Sequence, residues 1–356
     1  MERKNILLRY GKIRIFALII LIIGAAYYGL KHSYRAYPLY EGETMGTYYR
    51  IKINSPRVPL YIHDLIEKEL KQVNKAMSVF DKTSEISRIN QAPAGEKIEL
   101  SPAMSELMQT AEKVYKQSHG AFDPSLGKLI KVWGFGPQNP TEQPQKADIE
   151  KLMQTVGFAK IEFSPDYKQM HKKVEGLELN LSAIAKGYGV DRVYRLLKEK
   201  GYHDFIVDIG GEVRTSGNRN AEEAGWNVGI SSPDNSGRTV YVMNLQDKAI
   251  ATSGDYRNYK EENGKRYAHT ISSQDGYPVE NNVASVTVIS DNCMEADAYA
   301  TAIMALGAQQ GMALAEQQNM AVLIFEHIPN SQGEYKLWHS EEFKKMTKGP
   351  LYEQYQ

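Results

Sequence analysis

The sequence predicts one mixed α and β domain behind an apolar N-terminal segment. Three observations carry that reading. Strand-like runs, alternating or apolar, are interspersed with longer stretches of helical spacing. After about residue 38 no low-complexity tract, charge block or internal repeat divides the chain. Only the first thirty residues have the composition of a membrane segment.

Residues 1–14 carry Arg3, Lys4, Arg9, Lys12 and Arg14 against Glu2 alone, and residues 15–30 then run without a charge. A basic flank ahead of an apolar run places the flank in the cytoplasm and the chain beyond the run outside. The run is somewhat short of the roughly 20 residues that span a bilayer, so signal peptide and anchor are both weighed. Gly24-Ala25-Ala26 would serve as a small-residue cleavage site, but Tyr27, Tyr28 and Lys31 suit an interfacial anchor better. No cysteine comes after the run until Cys293, which excludes a lipid-anchored lipoprotein. The expectation is an uncleaved single-pass anchor in the inner (cytoplasmic) membrane, with the rest on the periplasmic or extracytoplasmic side. Residues 31–38 read as a linker and 39–356 as the domain.

Within the domain, Tyr49, Ile51 and Ile53 alternate with polar neighbours over Thr47 to Ile53, the period of a half-buried strand. Ile62, Leu65, Ile66, Leu70, Val73 and Met77 then recur at helical spacing. Ser101-Pro102, a cap followed by proline at the first helical position, opens a helix through about Ser118. Val190, Val193, Leu196 and Leu197 mark a helix over Ala185 to Lys198. Phe205–Ile209, Ala284–Ile289 and Ala321–Phe325 read as buried strands, and Met294–Leu306 as a helix. The 43 basic and 43 acidic residues cancel, so nothing argues for a nucleic-acid partner. One cysteine, Cys293, excludes an internal disulfide framework and a cysteine-rich metal site.

On the predicted helix over 294–306, Asp297 and Thr301 are four apart and share a face. A carboxylate and a hydroxyl are hard oxygen donors suited to Mg²⁺, although such a pair is more often a solvated face. Lys186-Gly187-Tyr188-Gly189 falls where a loop enters a helix, a position suited to phosphate, with an ordinary solvated lysine as the plainer reading. His269 lies among small and hydroxyl residues and could act as a base near neutrality, or as a structural hydrogen-bonding residue. Gly210-Gly211 follows an apolar run and reads as a tight turn, without a dinucleotide fingerprint. Phe80 ends an apolar helix and suits ring stacking or core packing. Trp133-Gly134-Phe135-Gly136 suits a ligand lip or packing.

Taken in order, several segments closely resemble the ApbE family of FAD:protein FMN transferases. They are Met45-Gly46-Thr47, Ser84-Glu85-Ile86-Ser87-Arg88-Ile89-Asn90, Gly120-Ala121-Phe122-Asp123-Pro124, and Ser182-Ala183-Ile184-Ala185-Lys186-Gly187-Tyr188. Val207-Asp208-Ile209-Gly210-Gly211, Thr252-Ser253-Gly254-Asp255-Tyr256-Arg257-Asn258 and Glu295-Ala296-Asp297 to Thr301 complete the series. The resemblance covers nearly everything from about Glu41 onward, and it is the ordered series that is specific.

The resemblance implies an α+β, T-fold-related single domain, FAD as substrate and Mg²⁺ as cofactor. It places Asp297, Thr301 and the carbonyl of Ala183 on the metal, with that of Ala300 a further candidate. Met45, Phe80, Ala121, Phe122, Asp123, Lys186 and Ile271 fall on FAD contacts, and His269 on the residue thought to activate the acceptor threonine. Phe80 stands where many relatives have tyrosine. Asn180 replaces a usual aspartate, and Ser272-Ser273-Gln274-Asp275-Gly276 replaces a usual Asp-Pro-x-Thr-Gly. The implied reaction joins FMN to a threonine of an acceptor flavoprotein, such as a subunit of a membrane electron-transport complex, and releases AMP. The alternatives are an Mg²⁺-dependent FAD pyrophosphatase and a non-catalytic FAD-binding protein.

Overall fold

A computed structural model describes residues 16, 18–24, 34–136, 143–220, 222, 224–234, 236–254, 259–262, 265–268, 270–329, 331 and 334–347. Its framework is an eight-stranded sheet: β1 (Leu39–Thr44), β2 (Thr47–Ile53), β3 (Phe205–Ile209), β4 (Glu212–Ser216), β5 (Ala249–Gly254), β6 (Val283–Ser290), β7 (Ala321–His327) and β8 (Tyr335–His339). Neighbours in space are neighbours in sequence and every pairing is antiparallel. The chain departs from this meander by insertions. The longest joins β2 to β3 and carries α1 (Tyr61–Met77), α2 (Glu85–Gln91), α3 (Pro102–Gln117) and α4 (Ser182–Glu199). A second, between β6 and β7, carries α5 (Cys293–Leu306) and α6 (Ala308–Gln317).

Each strand places alternate side chains on opposite faces. Tyr49, Ile51 and Ile53 of β2 point with Phe205, Val207 and Ile209 of β3 into a core shared with Ile62, Ile66 and Leu70 of α1 and Val190, Val193 and Leu197 of α4. Ala251, Val286, Val288, Val322 and Ile324 meet α5 in the adjoining core. On the opposite face Val213, Ile250, Leu323 and Phe325 pack beneath the hairpin Trp226–Ser231/Thr239–Leu245 and Phe343 of the helix Glu341–Met346. β6, covered on both sides, is buried over seven of its eight residues, Ser285 and Thr287 included, which is why it reads in sequence as a buried strand and not as an alternating one.

Local signals account for several boundaries. The Ser101 hydroxyl accepts the Met104 N–H at 3.2 Å and Pro102 opens α3. Asn292 caps α5 through the Glu295 N–H at 2.9 Å. The glycine pair makes the tight turn from β3 to β4, with φ of 64° at Gly210 and 103° at Gly211, values that a β-carbon would strain. Two expectations shift. α4 begins at Ser182, so Lys186 lies in its second turn and not where a loop enters the helix. α1 ends at Met77, which leaves Phe80 beyond the helix and 67% exposed.

Residues 16 and 18–24 are helical with exposed apolar side chains, and among the described residues no helix is long and apolar enough to cross a membrane. Tyr34–Arg35, within the segment read as linker, already pairs with Val58–Pro59.

Candidate active site

The site is built where α4 crosses α5 over the ends of β4 and β5. A β-carbon on Gly187 would lie 2.7 Å from the Cys293 carbonyl carbon and 2.8 Å from Met294 Cα, so the two helices approach as closely as a glycine allows. Asp191, one turn further along α4, receives the Cys293 N–H at 3.0 Å and the Met294 N–H at 2.9 Å. It thereby satisfies two donors at the start of α5, and Arg214 on β4 pairs with it at 2.7 Å.

This crossing sets Asp297 and Thr301 on the face of α5 that meets α4. Asp297 is 3% exposed, so its carboxylate does not lie on a solvated face, and Thr301 is half-buried. Asp297 Oδ2 accepts the Gly187 N–H at 2.9 Å, and Oδ1 lies 3.8 Å from Lys186 Nζ. Ala183 lies in the first turn of α4, one turn before Gly187. The Thr301 hydroxyl is 3.2 Å from the Ser253 hydroxyl at the end of β5.

Lys186 has a closer partner that the motifs did not reveal. Glu212, directly after the glycine pair, places Oε1 2.5 Å from Lys186 Nζ and is 2% exposed. Its second oxygen, Oε2, is buried without a hydrogen-bond partner among the described residues. Burial pushes the Glu212 carboxyl up to about 7; Lys186 opposes the shift and Asp297 adds to it. Burial also raises Asp297 above the usual carboxylate range, again against Lys186. Burial alone would lower the Lys186 ammonium, but the two carboxylates hold it above its ordinary value.

Other predicted contacts gather beside this group. The Met45 side chain lies over Gly189 of α4, its Cε 2.5 Å from where a β-carbon there would stand. The Phe122 ring is buried, and Asp123 turns into its own loop, accepting from the Ser125 N–H at 2.8 Å and its hydroxyl at 2.6 Å, and from the Phe158 N–H at 3.3 Å. The Asn180 N–H bonds to the Pro124 carbonyl at 2.8 Å, which joins this loop to the start of α4. The Asn180 side chain accepts the Ser182 N–H at 2.9 Å, a task for which an amide oxygen serves as well as a carboxylate.

Ile271 is buried against Leu126, Leu129 and Trp133. The departure after it folds as a closed turn: Gly276 N–H to Ser272 carbonyl at 2.9 Å, Trp133 indole N–H to Gly276 carbonyl at 2.8 Å, and Ser273 hydroxyl to Gly120 carbonyl at 2.7 Å. The last bond brings Ile271 to the loop of Ala121. Phe80 stands apart from these bonds, with only its backbone N–H held, by Ser78 at 3.3 Å. His269 and 255–258 lie outside the described residues.

The Ser84–Asn90 segment is a clamp. Ser84 caps α2, Glu85 receives the Ser101 N–H at 2.8 Å, and the Asn90 side chain bonds both backbone groups of Leu179 at 2.8 and 2.7 Å. It fixes the segment that leads into Ser182.

The comparisons decide the family. The model of the ApbE family matches residues 45–324. The chain belongs to the ApbE family. The FAD:protein FMN transferase of Haemophilus influenzae is 35% identical over 316 residues, covering 86% of this chain and 90% of that one. Its counterpart in Vibrio cholerae is 36% identical over 308 residues, with 85% and 90% covered. Among solved structures, the flavin transferase ApbE of Vibrio cholerae superposes with a TM-score of 0.78 at 33% identity, covering 87% of this chain and 99% of that chain. The apo form of the Pseudomonas stutzeri flavinyl transferase ApbE gives 0.78 at 31%, with 88% and 97% covered. The single mixed α and β domain predicted from sequence is thus the ApbE fold, and the site at the α4–α5 crossing is carried by family segments.

Proposed function

We propose that this ApbE-family chain transfers FMN from FAD to a threonine hydroxyl of an acceptor protein. The observation that carries the reading is the buried Asp297, Lys186 and Glu212 cluster, with the Thr301 and Ser253 hydroxyls beside it. Buried carboxylates that outnumber their ammonium call for a further cation. The donors are oxygens throughout, which fits Mg²⁺. Asp297, Thr301 and the Ala183 carbonyl are the residues that would hold it, and the ion when bound would offset the negative charge of the FAD diphosphate.

Lys186 adds a fixed positive charge toward the same phosphates. Met45, Ala121, Phe122, Asp123 and Ile271 would line the flavin dinucleotide, and the exposed Phe80 ring would offer it a stacking surface. His269 would take the proton of the acceptor hydroxyl. That oxygen forms a bond to the FMN-side phosphorus as the bond from this phosphorus to the bridging oxygen breaks, and AMP departs with the bridging oxygen.

The apolar run at residues 15–30 supports an anchor that holds the domain outside the cytoplasm, where acceptor subunits of membrane electron-transport complexes would be met. Incubation with FAD, Mg²⁺ and a threonine-bearing acceptor fragment tests the transfer. Flavin fluorescence retained on the denatured acceptor supports it. Free FMN and AMP with unlabelled acceptor would assign hydrolysis, and unchanged FAD would assign binding alone.

A further inference from the structure

We propose that Glu212 is a positioning residue that parks the Lys186 ammonium off Asp297, keeping that carboxylate open to a hard cation. The inference rests on the reading of Asp297 as a cation ligand. Lys186 stands between two acceptors, 2.5 Å from Glu212 and 3.8 Å from Asp297. Coulomb energy falls as the inverse of distance, so at equal screening the pair energy with Glu212 is about one and a half times that with Asp297. Asp297 is also partly engaged, since Oδ2 holds the Gly187 N–H and only Oδ1 faces the ammonium.

Among the described residues no other side chain pairs with Glu212. Its Oε2 is without a hydrogen-bond partner among the described residues, so the side chain braces no neighbouring segment. A buried carboxylate placed by the glycine turn against one lysine, its sole ion-pair partner among the described residues, has a narrow task. Without it, Lys186 would close on Asp297 Oδ1 and compete there with a divalent ion. A lysine tethered by four methylene carbons has the reach for that movement, and its ammonium can redirect its three donors.

Binding of Mn²⁺, followed by its paramagnetic resonance signal with no flavin present, gives the test. Metal-loaded turnover is not needed. Glu212→Gln is expected to weaken Mn²⁺ binding at least tenfold, with Glu212→Asp between it and the parent. Loss of a negative charge would by itself weaken a cation, so the deciding comparison uses Lys186→Met. If Glu212 acts by parking Lys186, Glu212→Gln in the Lys186→Met background changes Mn²⁺ affinity by less than twofold. An equal loss in both backgrounds would mean a through-space field and overturn the proposal, as would unchanged affinity in Glu212→Gln alone. Melting curves confirm that each variant is folded, and Glu212→Asp carries the comparison if the amide is not. Should the parent and Asp297→Ala bind Mn²⁺ alike, the cation reading itself fails, a result distinct from failure of the Glu212 step.

Discussion

Gly187→Ala puts the geometry of the site to a direct test. The added β-carbon would stand 2.7 Å from the Cys293 carbonyl carbon and 2.8 Å from Met294 Cα, where ordinary contact begins at 3.4 Å. Relief therefore requires α5 to withdraw by at least 3.4 minus 2.7, or 0.7 Å, because these atoms and the still nearer Cys293 carbonyl oxygen are backbone and cannot rotate away. Overpacking of this kind costs about 1–3 kcal/mol, while replacing a mid-helix glycine by alanine returns about 1 kcal/mol. The net loss is about 0–2 kcal/mol, or a fall in Tm of no more than about 8 °C. Function should suffer far more. The same shift pulls Asp297 from the Gly187 N–H and from Lys186, and a misplacement near 1 Å can cost about a hundredfold. Melting curves, Mn²⁺ binding and the acceptor-labelling assay measure the three effects on one preparation. A variant that binds and transfers like the parent would show that the close approach of the two helices does not set the site.

Asp297→Ala should abolish metal-dependent transfer in the labelling assay, and normal turnover there would remove Asp297 from the ligand set. His269→Ala is expected to leave FAD binding intact, measured by flavin fluorescence, and to slow transfer about 100-fold or more; lost binding would make it structural. In metal-free protein Glu212 holds its proton to about pH 7 against 4.5 ordinarily. The folded state is then the better proton binder between those values, so the contribution of Glu212 to stability is fully present below pH 4.5 and is lost as pH rises toward 7. Glu212→Gln should flatten that part of a Tm-against-pH curve taken with a chelator, and an unaltered slope would assign it to other groups. The anchor reading predicts that the full chain floats with lipid vesicles after an alkaline carbonate wash, and release by the wash would count against it.

What was legible depended on whether neighbours in sequence supplied the signal. Thr47–Ile53 appeared as a strand with its observed limits because one face is buried and the other is not. Ser101 and Pro102 announced α3 because cap and first turn are local. α4 starts three residues before its predicted onset because no side chain caps it at Leu181, so the helix gives no opening signal. The burial of Asp297 was hidden for a different reason: α5 is apolar and small on nearly every side, with ten buried residues and hence no stripe to say which face meets α4. Glu212 was the least accessible. Its meaning comes from Lys186 on another element and Asp297 on a third, and only the sheet order brings them together. Asn180 was legible as a departure, but the Ser182 N–H that its side chain accepts was not.

The charge of the cluster explains why so buried a site persists. Asp297 and Glu212 contribute two negative charges and Lys186 one positive, while Asp191 and Arg214 neutralise each other nearby. The remainder is one uncompensated negative charge in a poorly solvated place, which costs several kcal/mol if left alone. A proton can supply the compensation, and the elevated Glu212 carboxyl is the sign of that state. A divalent ion can supply it instead, turning the local sum from minus one to plus one and the site from a cation receptor into an anion receptor. Proton and metal are then alternatives for one charge deficit, so metal binding should release a proton near neutral pH. The same sum predicts an order of binding: a diphosphate should gain affinity for the cluster once the cation is in place, which FAD titrations with and without a chelator check.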